Sequence, residues 1–178
     1  MPKSSFATRD LCMAALIAAL YAVLTIFLPV PQFGGIQFRV GEAMTVLPFL
    51  FPAATPGLFV GCFLANLIAS PLGLVDAVFG SMATLLACLA TQRMPNRWLA
   101  SFPPVIANAA IVAGVIAWSL TGFTPAFWPA YAWNALTVGL GELAACVILG
   151  QLLLFALPRI SALRPYIPAK RLSSLVKV

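Results

Sequence analysis

Residues 41–91 read GEAMTVLPFLFPAATPGLFVGCFLANLIASPLGLVDAVFGSMATLLACLAT, and Glu42 and Asp76 are the only charges in that stretch. It is too long and too apolar to be one element of a soluble domain. It is also punctuated by Pro48, Pro52, Pro56-Gly57 and Ser70-Pro71-Leu72-Gly73. Proline removes a helical donor and glycine loosens the chain, so these breakers divide the stretch into three apolar segments. On either side, further apolar runs are long enough to cross a hydrocarbon core of about 30 Å. The predicted spans are residues 11–28, 42–54, 57–70, 75–91, 104–121 and 133–157. Segments 42–54 and 57–70 are short for full crossings, which leaves a re-entrant hairpin of the same parity open.

Composition agrees with a bilayer protein. Of 178 residues, 62% are hydrophobic and 8% charged, against roughly 25% charged in a soluble domain, and the mean hydropathy is +1.04. A water-facing surface cannot be assembled from that mixture. Six spans leave room for short loops and tails, so residues 1–178 are read as one transmembrane domain. The first apolar run follows Lys3 and Arg9 as a signal peptide would, but no cleavage site leads into a soluble domain, and it is expected to stay as a span.

The net charge of +6 reports orientation. All basic residues but Arg39 fall in three groups: Lys3 and Arg9; Arg93 and Arg97; and Arg159, Arg164, Lys170, Arg171 and Lys177. All three groups are expected on the cytoplasmic side. An even number of crossings must separate each group from the next, which gives a bundle of six transmembrane helices in an all-α integral membrane protein. Both termini are then cytoplasmic, and residues 158–178 form a basic cytoplasmic tail. Residues 30–40 and 122–132 become outer loops and residues 70–73 an outer turn. Phe33, Phe38, Trp128, Tyr131 and Trp133 gather at the outer interface, either as an aromatic belt or to stack on a ligand.

Several functions are excluded. The chain has no histidine, so His-based zinc sites, Ser-His or Cys-His catalysis and His-ligated haem are ruled out. Cys12, Cys62, Cys88 and Cys146 lack CxxC spacing and read as packed thiols. No GK dipeptide is present, hence no phosphate-binding P-loop. No enzyme, metal or cofactor is expected in this chain, and any ATP must be used by another subunit.

Four acidic residues remain. Asp10 beside Arg9 needs no role beyond a local pair, whereas Glu42, Asp76 and Glu142 all fall in the outer half. A carboxylate within a span costs about 2.5 to 3.5 kcal/mol and faces a cavity, a partner or the bundle interior. Glu142 is the leading site candidate, its ordinary structural use being a pair with Arg39. Arg39 and Glu42 are themselves spaced for a local pair at a helix start. Three carboxylates against Arg39 leave a net charge of minus two, which suits a cationic or donor-rich ligand. Gln32, Gln37, Asn66 and Asn134 add amides, which either read polar edges or bond between helices. Ala14, Ala18 and Ala22, with Ala15 and Ala19 beside them, allow close approach of another helix, from this chain or a partner.

The block GGIQFRVGEAMTVLPFLFPAATPGLFVGCFLANLIASPLGLVDAVFGSMATLLA, residues 34–87, resembles the QueT family of queuosine-precursor transporters. Its FRxxE element stands here as Phe38, Arg39 and Glu42, and its ANL element as Ala65, Asn66 and Leu67. The resemblance implies a multi-pass protein of the cell membrane acting as the substrate-capture (S) component of an energy-coupling factor importer. Such a subunit binds its substrate from outside and joins a transmembrane coupling subunit and two cytoplasmic ATPases. It further implies coupling-subunit contact at Ala14, Ala15, Ala18, Ala19 and Ala22, and a lid from the first outer loop. Substrate contacts are expected among Gln37, Phe38, Arg39, Glu42, Asn66, Asp76, Asn134 and Glu142. In a deazaguanine base, Glu142 or Glu42 would hold the two adjacent N–H donors, Asp76 an aminomethyl cation, and Phe38 or an outer aromatic the ring face. The alternative from a different class is a stand-alone proton-coupled transporter of a purine-like or vitamin-like metabolite, with Glu142 or Asp76 carrying the proton.

Overall fold

The structure is a computed structural model that describes residues 8–28 and 37–175. Lys3, Gln32, Phe33 and Lys177, named above, lie outside the described residues, as does most of the first outer loop. All regular elements described are helical. Helix α1 covers Thr8–Phe27; a 3₁₀ segment follows over Val40–Phe49; then come α2 (Ala54–Ala69), α3 (Leu74–Arg93), α4 (Leu99–Thr121), α5 (Phe127–Arg159) and, after a 3₁₀ turn over Ser161–Tyr166, α6 (Ala169–Leu175). Helices α1, α3, α4 and α5 are long and apolar enough to cross a membrane, while the 3₁₀ segment and α2 are shorter.

Three boundaries differ from the sequence reading for identifiable reasons. Pro56 does not separate two elements; it occupies the first turn of α2, where its missing N–H would have had no partner. The break falls instead at Leu50–Ala53, around Pro52. Pro103 and Pro104 likewise sit near the start of α4, which a 3₁₀ turn extends back to Leu99. Pro129 lies in the first turn of α5, so Trp128 and Tyr131 belong to that helix and not to an outer loop, joining Trp133, which the sequence reading already places in a span. At 33 residues, α5 is about 50 Å long, more than a bilayer core requires.

The centre of the bundle is the 3₁₀ segment, which touches α1, α2, α3, α4 and α5. Gly41 through Phe49 are all buried. Ten residues of 3₁₀ helix rise about 20 Å, against about 15 Å in α geometry, so this short stretch reaches further at the expense of poorer hydrogen bonds. Close approach makes room for it. A Cβ at Gly41 would overlap the Thr25 hydroxyl, and one at Gly150 would press on Val46 and the Ala43 carbonyl. Gly57 and Gly61 of α2 lie directly on the backbone of Ala14 and Ala18, so the α1 small-residue stripe is used within the chain at those two positions. Ala22 is half-buried, while Ala15 and Ala19 face outward.

One end of the bundle is knitted by polar side chains. Gln151 donates to the Arg97 carbonyl at 2.7 Å and to Ser101 Oγ at 2.8 Å, Ser101 donates to the Cys146 carbonyl at 3.0 Å, and Gln92 donates to Thr55 Oγ1 at 2.5 Å. The segment expected as a tail docks here. Arg171 donates to the Gln92 and Met94 carbonyls at 2.9 and 2.7 Å, where α3 ends, and stacks over Phe49 at 4.1 Å. A guanidinium on terminal carbonyls also answers the negative pole of the α3 dipole. Ile167 is buried against the apolar core, and Arg9 lies over Tyr166 at 4.9 Å.

Candidate functional site

Away from that end, six elements deliver polar side chains to one buried region. From α1, Tyr21 on the inward stripe with Ile17 and Thr25 donates its hydroxyl to Glu42 Oε1 at 2.5 Å. Glu42 opens the 3₁₀ segment and is fully buried. Just before it, residues 37–39 cross α5 at Gly141, where a Cβ would overlap the Gln37 carbonyl. That crossing buries Gln37 and Arg39 and leaves Phe38 half-buried with its Cα over the same glycine. Arg39 forms an ion pair with Asp76, Nη2 to Oδ2 at 3.3 Å, both side chains almost wholly out of solvent.

Asp76 sits in the first turn of α3, which the helix dipole favours for a carboxylate. Ahead of it Gly73 adopts φ 52°, a left-handed turn that most side chains would strain. Asn66, from α2, donates Nδ2 to the Asp76 carbonyl at 3.1 Å, and Gly80 leaves the space its amide fills. On α5, Asn134, Val138 and Glu142 form one buried stripe. Cys146, a turn further on, brings its Sγ to 3.9 Å from Glu142 Oε2 and 3.5 Å from the Glu42 carbonyl. From α4, buried Asn108 faces both Glu42 and Glu142.

Backbone irregularity concentrates around these residues. Asn108 begins a π-helical run over Asn108–Val112, and Glu142 lies two residues before another over Ala144–Leu149. With the 3₁₀ segment that carries Glu42, three helices leave α geometry beside the same polar groups. Such departures are common at functional sites, where they re-aim a side chain at some loss of backbone bonding.

The electrostatics are unbalanced. Glu42, Asp76 and Glu142 share the region with Arg39, whose ion pair is with Asp76, not with Glu142. Among the described residues, Glu42 Oε2, Asp76 Oδ1, Asn66 Oδ1, Asn134 Oδ1, Thr25 Oγ1 and Asn108 Nδ2 are buried without a hydrogen-bond partner. A buried polar group left unpaired costs about 1–3 kcal/mol, so this concentration sets the region apart from the rest of the bundle. Four of the six atoms accept only.

Every expected substrate contact on an outer-half carboxylate, Arg39 or a described amide is therefore inside the bundle, and Phe38 stands at its edge. The aromatic residues Trp128 and Trp133 are exposed, and Phe127 stacks on Tyr131 while Trp128 meets both edge-on, the arrangement of an interfacial belt. Asp10 pairs with Arg9 at 4.0 Å near the surface. Three members of the site were not singled out from the sequence. Tyr21 could have been found as a tyrosine in mid-span instead of at an interface, and Asn108 as the lone amide in an apolar run. Cys146 carried no such signal.

Comparison with known proteins adds the family. Residues 11–159 match the QueT transporter family. Over 80 residues the chain is 32% identical to the queuosine precursor transporter QueT of Lactococcus lactis subsp. cremoris (strain MG1363), a match that spans 44% of this chain and 46% of that relative. No solved structure matches.

Proposed function

The chain belongs to the QueT transporter family, and from that premise we propose that it captures a queuosine precursor, a 7-deazaguanine base, for import across the cell membrane. The observation that carries this reading is the buried set of unpaired acceptors, Glu42 Oε2, Asp76 Oδ1, Asn66 Oδ1 and Asn134 Oδ1, within an otherwise apolar bundle. A ligand rich in N–H donors completes them. Glu42 and Glu142 take the adjacent N–H groups of the guanine-type edge as charge-assisted hydrogen bonds. Asp76 Oδ1 faces an aminomethyl cation, Asp76 Oδ2 being held by Arg39. Phe38 covers the ring face, a stacking contact of about 1–3 kcal/mol.

In this reading the protein is the S component of an energy-coupling factor importer, with a transmembrane coupling subunit and two ATPases as partners. Six crossings with both termini inside agree with the contacts that bring the start of α1, the end of α3, the start of α4 and the segment after α5 to one end of the bundle. The outer face of α1 supports the coupling-subunit contact. It exposes Ala15 and Ala19 and borders an apolar groove of about 600 Å³ lined by Leu16, Leu20 and the 3₁₀ residues Ala43 and Leu47.

The test is calorimetric titration of the purified, detergent-solubilised chain with the prequeuosine base, with queuine, guanine, riboflavin and biotin as comparisons. Tight binding of the deazaguanines by this chain alone is expected. Folded protein that binds none of them rejects the reading. Uptake by the chain alone, abolished by an uncoupler, would support a proton-coupled transporter in its stead.

A further inference from the structure

Asn108 is the one unpaired buried atom of the cluster that is an amide donor. The residue is 2% exposed; Nδ2 makes no hydrogen bond of normal length among the described residues, while the side chain interacts with the carboxylates of both Glu42 and Glu142. Its place is fixed on both sides. The next residue, Ala109, packs with its Cβ against the backbone of Gly139 on α5, and the π turn that starts at Asn108 rests on the same helix. A π turn inserts an extra residue into the helical register and turns the side chains around it relative to a regular α-helix. The energetic cost of that turn and of an unpaired amide falls at one residue.

The surrounding groups define what Asn108 can meet. Carboxylates accept from donors, so a ligand lying between Glu42 and Glu142 turns N–H groups toward them, and the group it turns toward Asn108 Nδ2 must be an acceptor. An acceptor flanked by N–H donors is the edge of a cyclic lactam: an oxo group next to a ring N–H and an exocyclic amine. We propose that Asn108 is a specificity-determining residue of the capture site, donating to the oxo group of the base while the two glutamates hold its neighbouring N–H groups. The assignment rests on the capture reading above and extends it to a residue on α4. It makes the site select against bases whose edge lacks that acceptor, because such a base offers Nδ2 no acceptor of its own.

The experiment compares two ligands and two proteins by calorimetry in detergent. One ligand is 7-deazaguanine; the other is its 6-thio analogue, which keeps both N–H donors but offers a weakly accepting sulfur. Wild-type protein is expected to prefer the oxo base by about tenfold, the size of one hydrogen bond to a buried donor. Asn108→Leu is expected to weaken the oxo base by about tenfold and the thio base little, so that the preference disappears. Equal weakening of both ligands would make Asn108 a packing residue and overturn the assignment. If Asn108→Leu does not fold, Asn108→Ala serves, and wild-type protein alone decides as well, since equal affinity for the two ligands also overturns it. Wild-type protein that binds neither ligand rejects the capture reading itself, a result distinct from loss of discrimination.

Discussion

Two sets of buried polar side chains occupy the same bundle and follow opposite rules. At the end closed by α6, Thr55, Gln92, Ser101 and Gln151 bond to one another or to carbonyls, and the Arg171 guanidinium finishes the α3 terminus. None of these side chains leaves a buried polar atom unpaired. In the other set Tyr21, Arg39, Glu42, Asn66, Asp76, Asn108, Asn134 and Glu142 are at least as deeply buried, yet most of them keep one atom unpaired. Burial alone therefore does not separate a structural network from a binding site. What separates them is completeness: a closed network holds helices in place, and an open one holds helices in place only with something else present.

The largest effect is expected at the ion pair within the open set. Arg39→Met leaves Asp76 buried without its guanidinium, and breaking a buried pair from one side costs about 3–5 kcal/mol. Denaturant unfolding in detergent should register that loss. Adding Asp76→Asn should restore most of it, because the second change removes the stranded carboxyl group. A single-variant loss under about 1 kcal/mol would mean that the pair is not buried in the sense used above, and the contrast between the two sets would weaken.

Glu142→Gln comes next and should act on a different observable. It removes a carboxylate with no cation partner at hydrogen-bonding distance among the described residues, so stability should hold or rise slightly. Affinity for the prequeuosine base should fall by about 10- to 100-fold, the worth of a charge-assisted bond. A loss of stability comparable to that of Arg39→Met would move Glu142 from the open set to the closed one. Gln151→Leu is the mirror image. It removes bonds to the Arg97 carbonyl and Ser101 and should lower stability by about 1–2 kcal/mol, with ligand affinity unchanged.

Much of this contrast was legible in the sequence, and its limits have physical causes. Glu42, Asp76 and Glu142 stood out because a charge in an apolar run needs a reason, and all three lie in the open set. The partner of Arg39 was not legible. Sequence spacing favours Glu42, three residues away, and charge counting favours Glu142, but the crossing of residues 37–39 over Gly141 turns the guanidinium to Asp76 on α3. The 3₁₀ and π runs were also hidden. An apolar stretch with Gly41 at one end and Pro48 inside reads as a short span, and its extended 3₁₀ form arises from packing on every neighbouring helix. Asn108 and Tyr21 were overlooked for a simpler reason, namely that neutral polar residues in a span are ordinary.

The smallest effect on the folded bundle is expected from Ala19→Leu, outside both sets. The α1 stripe has two faces: Ala14 and Ala18 receive Gly57 and Gly61 of α2, while Ala19 is exposed. A larger side chain at Ala18 would force α1 and α2 apart, an overpacking loss of about 1–3 kcal/mol. At Ala19 it points away from the other described residues, so stability should stay within about 0.5 kcal/mol and affinity for the base should not change. If this face docks a coupling subunit, the added bulk should nonetheless reduce uptake in whole cells and retention of partner subunits on purification. A variant that binds its base normally but no longer imports it would separate capture, which belongs to the open set, from delivery, which belongs to the outer face of α1. Unchanged import would remove that face of α1 from the delivery step and leave the assignment of the open set untouched.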